Sequence, residues 1–185
     1  EVHHRVKNNL QVISSLLSLE ANQTGDDHIR DLLMESRTRV RSMSLVHEKL
    51  YRSHTLASID FGDYLESVVG ELIRAYSRSD VAGHVTGKGI SLPVDIAIPC
   101  GLIVNELVSN ALKHAFRGRS GGNIRAGIER CTDGSLALVI GDDGNGIPEE
   151  REVTEMHSMG MTIVTNLVEQ IEGRLELRRG NGTEF

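Results

Sequence analysis

The chain has 185 residues, enough for one domain or for a small helical module beside a compact one. Hydrophobic residues at 39% allow a real core, whereas 3% aromatics, no Trp and a net charge of −6 argue against nucleic-acid binding, which uses stacking platforms and a basic surface. Cys100 and Cys131 form no CxxC pair, and no run approaches 18 apolar residues, so a disulfide framework, a spanning helix and a signal peptide are not indicated and a reducing cytosol is expected.

Val6, Leu10, Ile13 and Leu17 recur at i, i+4, i+7 and i+11, which predicts a helix over residues 1–23. Gln23 to Asp26 reads as a turn with Asp26 as the cap of a second helix over residues 27–53. Ile29, Leu32, Leu33, Val40, Met43, Val46 and Leu50 mark the expected buried side of that helix. Two long helices joined by a short turn form an antiparallel hairpin whose apolar stripes need a partner, such as a second copy completing a four-helix bundle.

Composition changes near residue 55. Asp60 can cap a helix over residues 61–76, and Val81, Gly83 and Val85 alternate as in a weak strand. Pro99 fits the first turn of a helix running to about residue 116, and a Gly-rich loop follows over residues 117–122. Ile124, Ala126 and Ile128 alternate as in a half-exposed strand, and residues 136–140 read as a central, continuously apolar one. A helix over residues 160–172 and a strand over residues 174–178 complete an α+β arrangement. The chain begins inside a helical pattern and ends in a strand, so it is expected to be a piece of a longer protein.

Four constellations carry chemistry. Asp142-Asp143-Gly144-Asn145-Gly146 follows the apolar strand directly, a DxGxG run that puts a carboxylate at the strand end and lets backbone approach a ligand; by itself it is also an ordinary turn. Glu106, Asn110 and Lys113 make a polar i, i+4, i+7 stripe on an otherwise apolar helix, either solvent-facing or paired with Mg²⁺ and phosphates. Ser158-Met159-Gly160 opens a helix and can present amides to phosphates, and Gly180 to Phe185 is a Gly turn containing Thr183.

In this order, the stripe, the DxGxG run, the Gly-opened helix and the GTxF turn resemble the N, G1, G2 and G3 boxes of the Bergerat-type ATP-binding fold, shared by histidine kinases, gyrase and MutL-type ATPases. No GxxxxGK[ST] or GxGxxG is present. Residues 1–17, containing His-His-Arg-Val-Lys-Asn-Asn-Leu from His3, look like the phosphoacceptor box of the HisKA-related subfamily that is kin to the HWE kinases. The resemblance implies a phosphoacceptor and dimerisation hairpin over residues 1–54 and a two-layer α/β sandwich binding ATP over residues 60–185. It also implies Asp142 on the adenine amino group with Gly144 and Gly146 beneath it, Asn110 on Mg²⁺ with Glu106 beside it, and Lys113 and His114 on phosphates. Residues 149–159 would be a lid closing through Gly160, with Thr183 at the phosphate-binding end. A response regulator would receive the phosphate, in a homodimer whose sensor domain is not in this chain.

The two adjacent histidines differ in helix phase. At about 100° per residue, His3 lies about 50° from the apolar stripe and His4 about 150° from it. His4 is therefore the expected acceptor, with Asn8 one turn on as a candidate to orient a water for dephosphorylation. Two departures from the family stand out: Arg5 occupies the place of the usual acid after the histidine, leaving Glu1 one turn earlier, and Ser158-Met159-Gly160 lacks a second Gly. Other readings are a GHL-type ATPase with Glu106 activating water, an anti-sigma type serine kinase, or a non-catalytic ATP-binding adaptor.

Overall fold

The computed structural model describes residues 2–52, 58–147 and 159–185; side chains at 2–4, 7, 42, 43 and 45–52 lie outside the described set. Helices α1 (Val2–Gln23) and α2 (Asp27–Arg52) form the expected hairpin. Asp26 caps α2, its Oδ1 accepting from the backbone N–H of His28 at 2.8 Å and of Ile29 at 3.2 Å. The buried side of α2 differs from the periodicity reading. Ile29 and Leu32 are exposed, as are Val12, Ile13, Leu16 and Leu19 of α1, while Leu33 and Val40 are partly covered. Within one chain the hairpin covers only part of its apolar surface; the burial of Met43, Val46 and Leu50 lies outside the described residues.

Strand β1 (Ser58–Asp60) leads into α3 (Phe61–Ala75), capped by Asp60, whose Oδ1 accepts from Asp63 N–H at 3.1 Å. Phe61, Tyr64, Leu65, Val68, Val69 and Leu72 fall at helical spacing and are all buried. Strand β2 (Val81–Thr86) follows, then β3 (Ser91–Pro93), which pairs antiparallel with β1 in a small sheet that periodicity did not reveal. Two three-residue strands are too short to show alternation.

Helix α4 (Val94–Asn110) starts five residues before Pro99, which therefore lies inside the helix rather than in its first turn. Pro93 ends β3 and begins the helix, so the chain has no room for a loop before Pro99, and the helix forgoes one internal bond there. Gly101 lets α4 approach α3 closely, since a Cβ there would stand 2.2 Å from the Tyr64 hydroxyl. The segment Val94–Ala115 is long and apolar enough to cross a membrane, but 67% of its apolar window is buried inside the fold, as for a core helix.

Helix α4 passes into a π-turn, Ala111–Ala115. Strands β4 (Gly122–Arg130) and β5 (Leu136–Asp142), helix α5 (Met159–Gln170), and strands β6 (Arg178–Gly180) and β7 (Gly182–Glu184) complete the chain. The strand expected over residues 174–178 instead begins at Arg178, because pairing with β7 across the Asn181 turn sets its register. The five-stranded sheet runs β2-β4-β5-β7-β6, parallel only between β2 and β4, with β5 central as its apolar run suggested. Ile124, Ala126, Ile128 and Ile140 line its inner face against α3, α4 and α5. The fold is thus a helical hairpin followed by a two-layer α/β sandwich.

Candidate functional site

Among the described residues five polar ones are buried: Asn105, Glu106 and Ser109 on α4, Asp142 on β5 and Thr183 on β7. Asp142 ends the central strand β5, opposite Thr183 of β7. Its carboxylate accepts from the backbone N–H of Gly144 at 2.9 Å, and burial pushes its carboxyl above the ordinary range while backbone donors at Gly144 and Thr183 oppose that shift. Asp143 has a different task. It holds the backbone N–H and side chain of Asn123 at 2.7 and 2.6 Å, bonds that keep its carboxyl below the ordinary range. One carboxylate of the pair braces the loop to β4, and the other is held buried at the strand end.

Glycines let backbone close around Asp142. A Cβ on Gly182, at φ +101, would lie 2.0 Å from the Asp142 carbonyl oxygen, and Gly146 takes φ +72 beside it. A Cβ on Gly144 would meet the Ala115 carbonyl at 2.4 Å. The DxGxG loop thus rests on the π-turn, and Asn145 N–H donates to that same carbonyl at 2.8 Å. Two further carbonyls of the turn are taken up by side chains: Arg78 donates to Leu112 at 3.3 Å and Arg117 to Lys113 at 3.0 Å. A π-turn leaves carbonyls that an α-helix would satisfy itself, and such turns are common at functional sites. This one carries Lys113 and His114.

The second half of the site is the polar stripe. Glu106, Asn110, Lys113 and His114 line a cleft closed on one side by Gly160 at the start of α5 and on the other by Glu35 and Arg39 of α2. Gly160 is needed there, since a Cβ would stand 2.7 Å from Glu106 Oε2. Arg39 grips Glu106 with both nitrogens, Nε to Oε1 at 2.6 Å and Nη2 to Oε2 at 2.8 Å, and Asn105 adds a bond to Oε1 at 3.1 Å. Lys113 donates to Glu35, which also lies 3.7 Å from Arg39. Desolvation, with the nearby charges of Arg117 and Lys113, holds the His114 imidazole below its ordinary value. Ser109 Oγ is buried and has no hydrogen-bond partner among the described residues.

The expected residues therefore fall in two groups joined by the π-turn: Asp142, Gly144, Gly146 and Thr183 at the strand end, and Glu106, Asn110, Lys113, His114 and Gly160 in the cleft. His4 and His3 lie on α1, but their side chains are outside the described residues, as is the segment 149–158 expected to form a lid, Ser158 included. Asn8 of α1 is exposed. Among the described residues no cluster of three or more His, Cys, Asp or Glu could hold a metal alone. The hard amide oxygen of Asn110, one helical turn from Glu106, suits an ion that takes most of its ligands from phosphates and water, as Mg²⁺ does.

Sequence reasoning missed Arg39 and Glu35, which periodicity cannot assign to a neighbour 67 and 78 residues away. It also missed Asn123, Asn145 and Gly182 as supports of the loop; the Gly-x-Gly spacing around Asn181 was the only available signal.

Residues 1–76 match the family described as histidine kinase, and residues 96–185 match the family of histidine kinase-, DNA gyrase B-, and HSP90-like ATPases. The sensor histidine kinase PdtaS of Mycobacterium tuberculosis is 34% identical over 194 residues, covering 100% of the chain and 37% of that protein. Blue-light-activated histidine kinase 2 of Erythrobacter litoralis is 28% identical over 97% of the chain and 53% of its own length. The chain thus spans about a third to a half of these curated relatives. Its fold matches a solved histidine kinase domain from Erythrobacter litoralis with a TM-score of 0.73 at 24% identity, covering 94% of the chain and 92% of that domain.

Proposed function

The chain belongs to the histidine-kinase family, and on that premise we propose that it is the ATP-dependent autokinase core of a two-component system, with residues 1–54 as phosphoacceptor hairpin and residues 60–185 as catalytic domain. The observation that carries this reading is the two-part site: a buried carboxylate at a strand end, Asp142, joined through a π-turn to the polar stripe of Glu106, Asn110 and Lys113. A strand-end carboxylate suits the exocyclic amino group of adenine, and an asparagine and lysine one turn apart suit a triphosphate.

In this mechanism Asp142 accepts a hydrogen bond from the adenine amino group, with Gly144 and Gly146 allowing close approach and Thr183 bracing the same edge. Asn110 would hold Mg²⁺, which would supply charge neutralisation at the phosphates. Lys113 and His114 contact the phosphates, and Gly160 presents the α5 N-terminus to them. A ring nitrogen of His4 forms a bond to the γ-phosphorus as the bond from that phosphorus to the bridging oxygen breaks. ADP leaves with the electron pair, and the imidazole proton passes to a nearby base or solvent. Positioning supplies most of the rate. The phosphoryl group then moves to an aspartate of a response regulator, with Asn8 placed to orient water for the reverse, dephosphorylating role. The exposed Val12, Leu16, Leu19, Ile29 and Leu32 suit a second copy of the hairpin, giving a homodimer. ATP supply puts this core in the cytoplasm.

Incubation with γ-labelled ATP and Mg²⁺, followed by acid and base treatment, tests the reading. Acid-labile, base-stable label is expected; absence of label, or acid-stable label, contradicts it.

A further inference from the structure

The bidentate grip of Arg39 on Glu106 has no part in the mechanism above. Glu106 is a buried carboxylate in the phosphate-end cleft, with its Oε2 close to the start of α5 and Asn110 one turn away. Such a carboxylate can accept a proton from a water placed against the γ-phosphorus. In that side reaction the water oxygen bonds to phosphorus, the bond to the bridging oxygen breaks with its electrons going to ADP, and the water proton goes to Glu106. Orthophosphate is released and no histidine is needed. An autokinase that allowed this reaction would waste its ATP.

Both oxygens of Glu106 are occupied, Oε1 by Arg39 Nε and Asn105 Nδ2, and Oε2 by Arg39 Nη2. The pair is well shielded, with the Arg39 side chain 14% exposed and that of Glu106 6%. Glu35 steadies the guanidinium from the same helix, at 3.7 Å, and takes Lys113 on its other side. The hydrogen bond to Glu106 raises the Arg39 guanidinium above its ordinary value, so the fork stays charged at every working pH. The grip crosses from the hairpin to the catalytic domain, which ties the state of the base to the docking of α2.

We propose that Arg39 is a positioning residue that decides between phosphoryl acceptors: docked on Glu106, it denies water a base and leaves the γ-phosphoryl group for the histidine. This rests on the autokinase reading, but its test does not need a histidine to react. The test uses the 185-residue chain carrying His3→Gln and His4→Gln, so that orthophosphate released from Mg·ATP reports attack by water alone. Adding Arg39→Ala is expected to raise the saturated release rate on the order of 10- to 100-fold, within the range of a freed general base, with KM for ATP little changed. Arg39→Lys, which keeps the charge but not the fork, should fall between the two. Adding Glu106→Gln to Arg39→Ala should remove the gain, taking release to the starting rate or below it. A second readout needs no turnover: the loss of melting temperature in Arg39→Ala and in Glu106→Gln, without nucleotide, should be strongly non-additive in the double variant. Unchanged release in Arg39→Ala and Arg39→Lys overturns the proposal, as does a rise that survives Glu106→Gln or loss of ATP-analogue binding in both Arg39 variants. Failure of the autokinase reading would show separately, as absence of histidine label in the unaltered chain.

Discussion

The two ends of the site are built differently. At the strand end, the described partners of Asp142 and of its supporting loop come from the sandwich itself: Gly144, Thr183, Asn123, Arg117, Arg119 and the π-turn. At the phosphate end, Glu106 and Lys113 are paired with Arg39 and Glu35 of the hairpin. On the proposed reading, the carboxylate assigned to the base is supported within one unit, whereas two groups of the cleft assigned to the phosphates are paired with a second.

The largest effect should come from breaking the pre-formed end. Gly182→Ala places a Cβ against the Asp142 carbonyl at positive φ, and should destabilise on the order of 3 kcal/mol, lowering Tm by roughly 6–12 °C. Gly180→Ala, on the same hairpin, meets nothing within 4 Å and should stay within about 0.5 kcal/mol. Thermal unfolding of the two variants checks the contrast. Next in size, Asp142→Asn should weaken binding of a fluorescent ATP analogue by about 1.5–3 kcal/mol, and Asp143→Asn far less directly, since its carboxylate is spent on Asn123. Equal affinity for wild type and Asp142→Asn would remove the adenine assignment.

At the shared end, Glu106→Gln keeps a neutral acceptor in place but loses the charge that faces Arg39. Histidine labelling from ATP should fall about tenfold, with binding of the analogue nearly intact. The smallest effect concerns pH. The Asp142 carboxyl lies above its unfolded value, so the native state holds its proton longer and its contribution to stability falls as pH rises through that window; Asp143 lies below, so its contribution is present at neutral pH and lost as pH falls through its folded value. As pH rises from 4 to 7, Asp142→Asn should therefore gain melting temperature relative to wild type, whereas the advantage of wild type over Asp143→Asn should be steady there and shrink only as pH falls below about 4. The same trend in both variants would mean that the two carboxylates do not differ as described.

Much of the sandwich was legible because its signals are local. Asp26 and Asp60 cap the helices they precede, the Ile124-Ala126-Ile128 alternation is one face of β4, and the apolar run ending at Ile140 is the central strand. The boxes of the site were legible for the same reason, each being a short run with fixed spacing. Pro99 misled because a proline suits a first turn, and here tight coupling of β3 to α4 overrides that preference. The buried side of α2 misled because its neighbours are set by docking rather than by periodicity, which leaves Ile29 and Leu32 exposed. Arg39 was illegible for that reason too: on the sequence it is one charge among many on a polar helix face.

The measurement closest to the central claim is mapping of the phosphoryl group by peptide analysis after incubation with Mg·ATP, run in parallel on wild type, His3→Gln and His4→Gln. The account predicts phosphate on His4, label abolished in His4→Gln and largely retained in His3→Gln. Phosphate on His3, or full labelling of His4→Gln, would contradict both the assignment and the helix phase from which it was drawn.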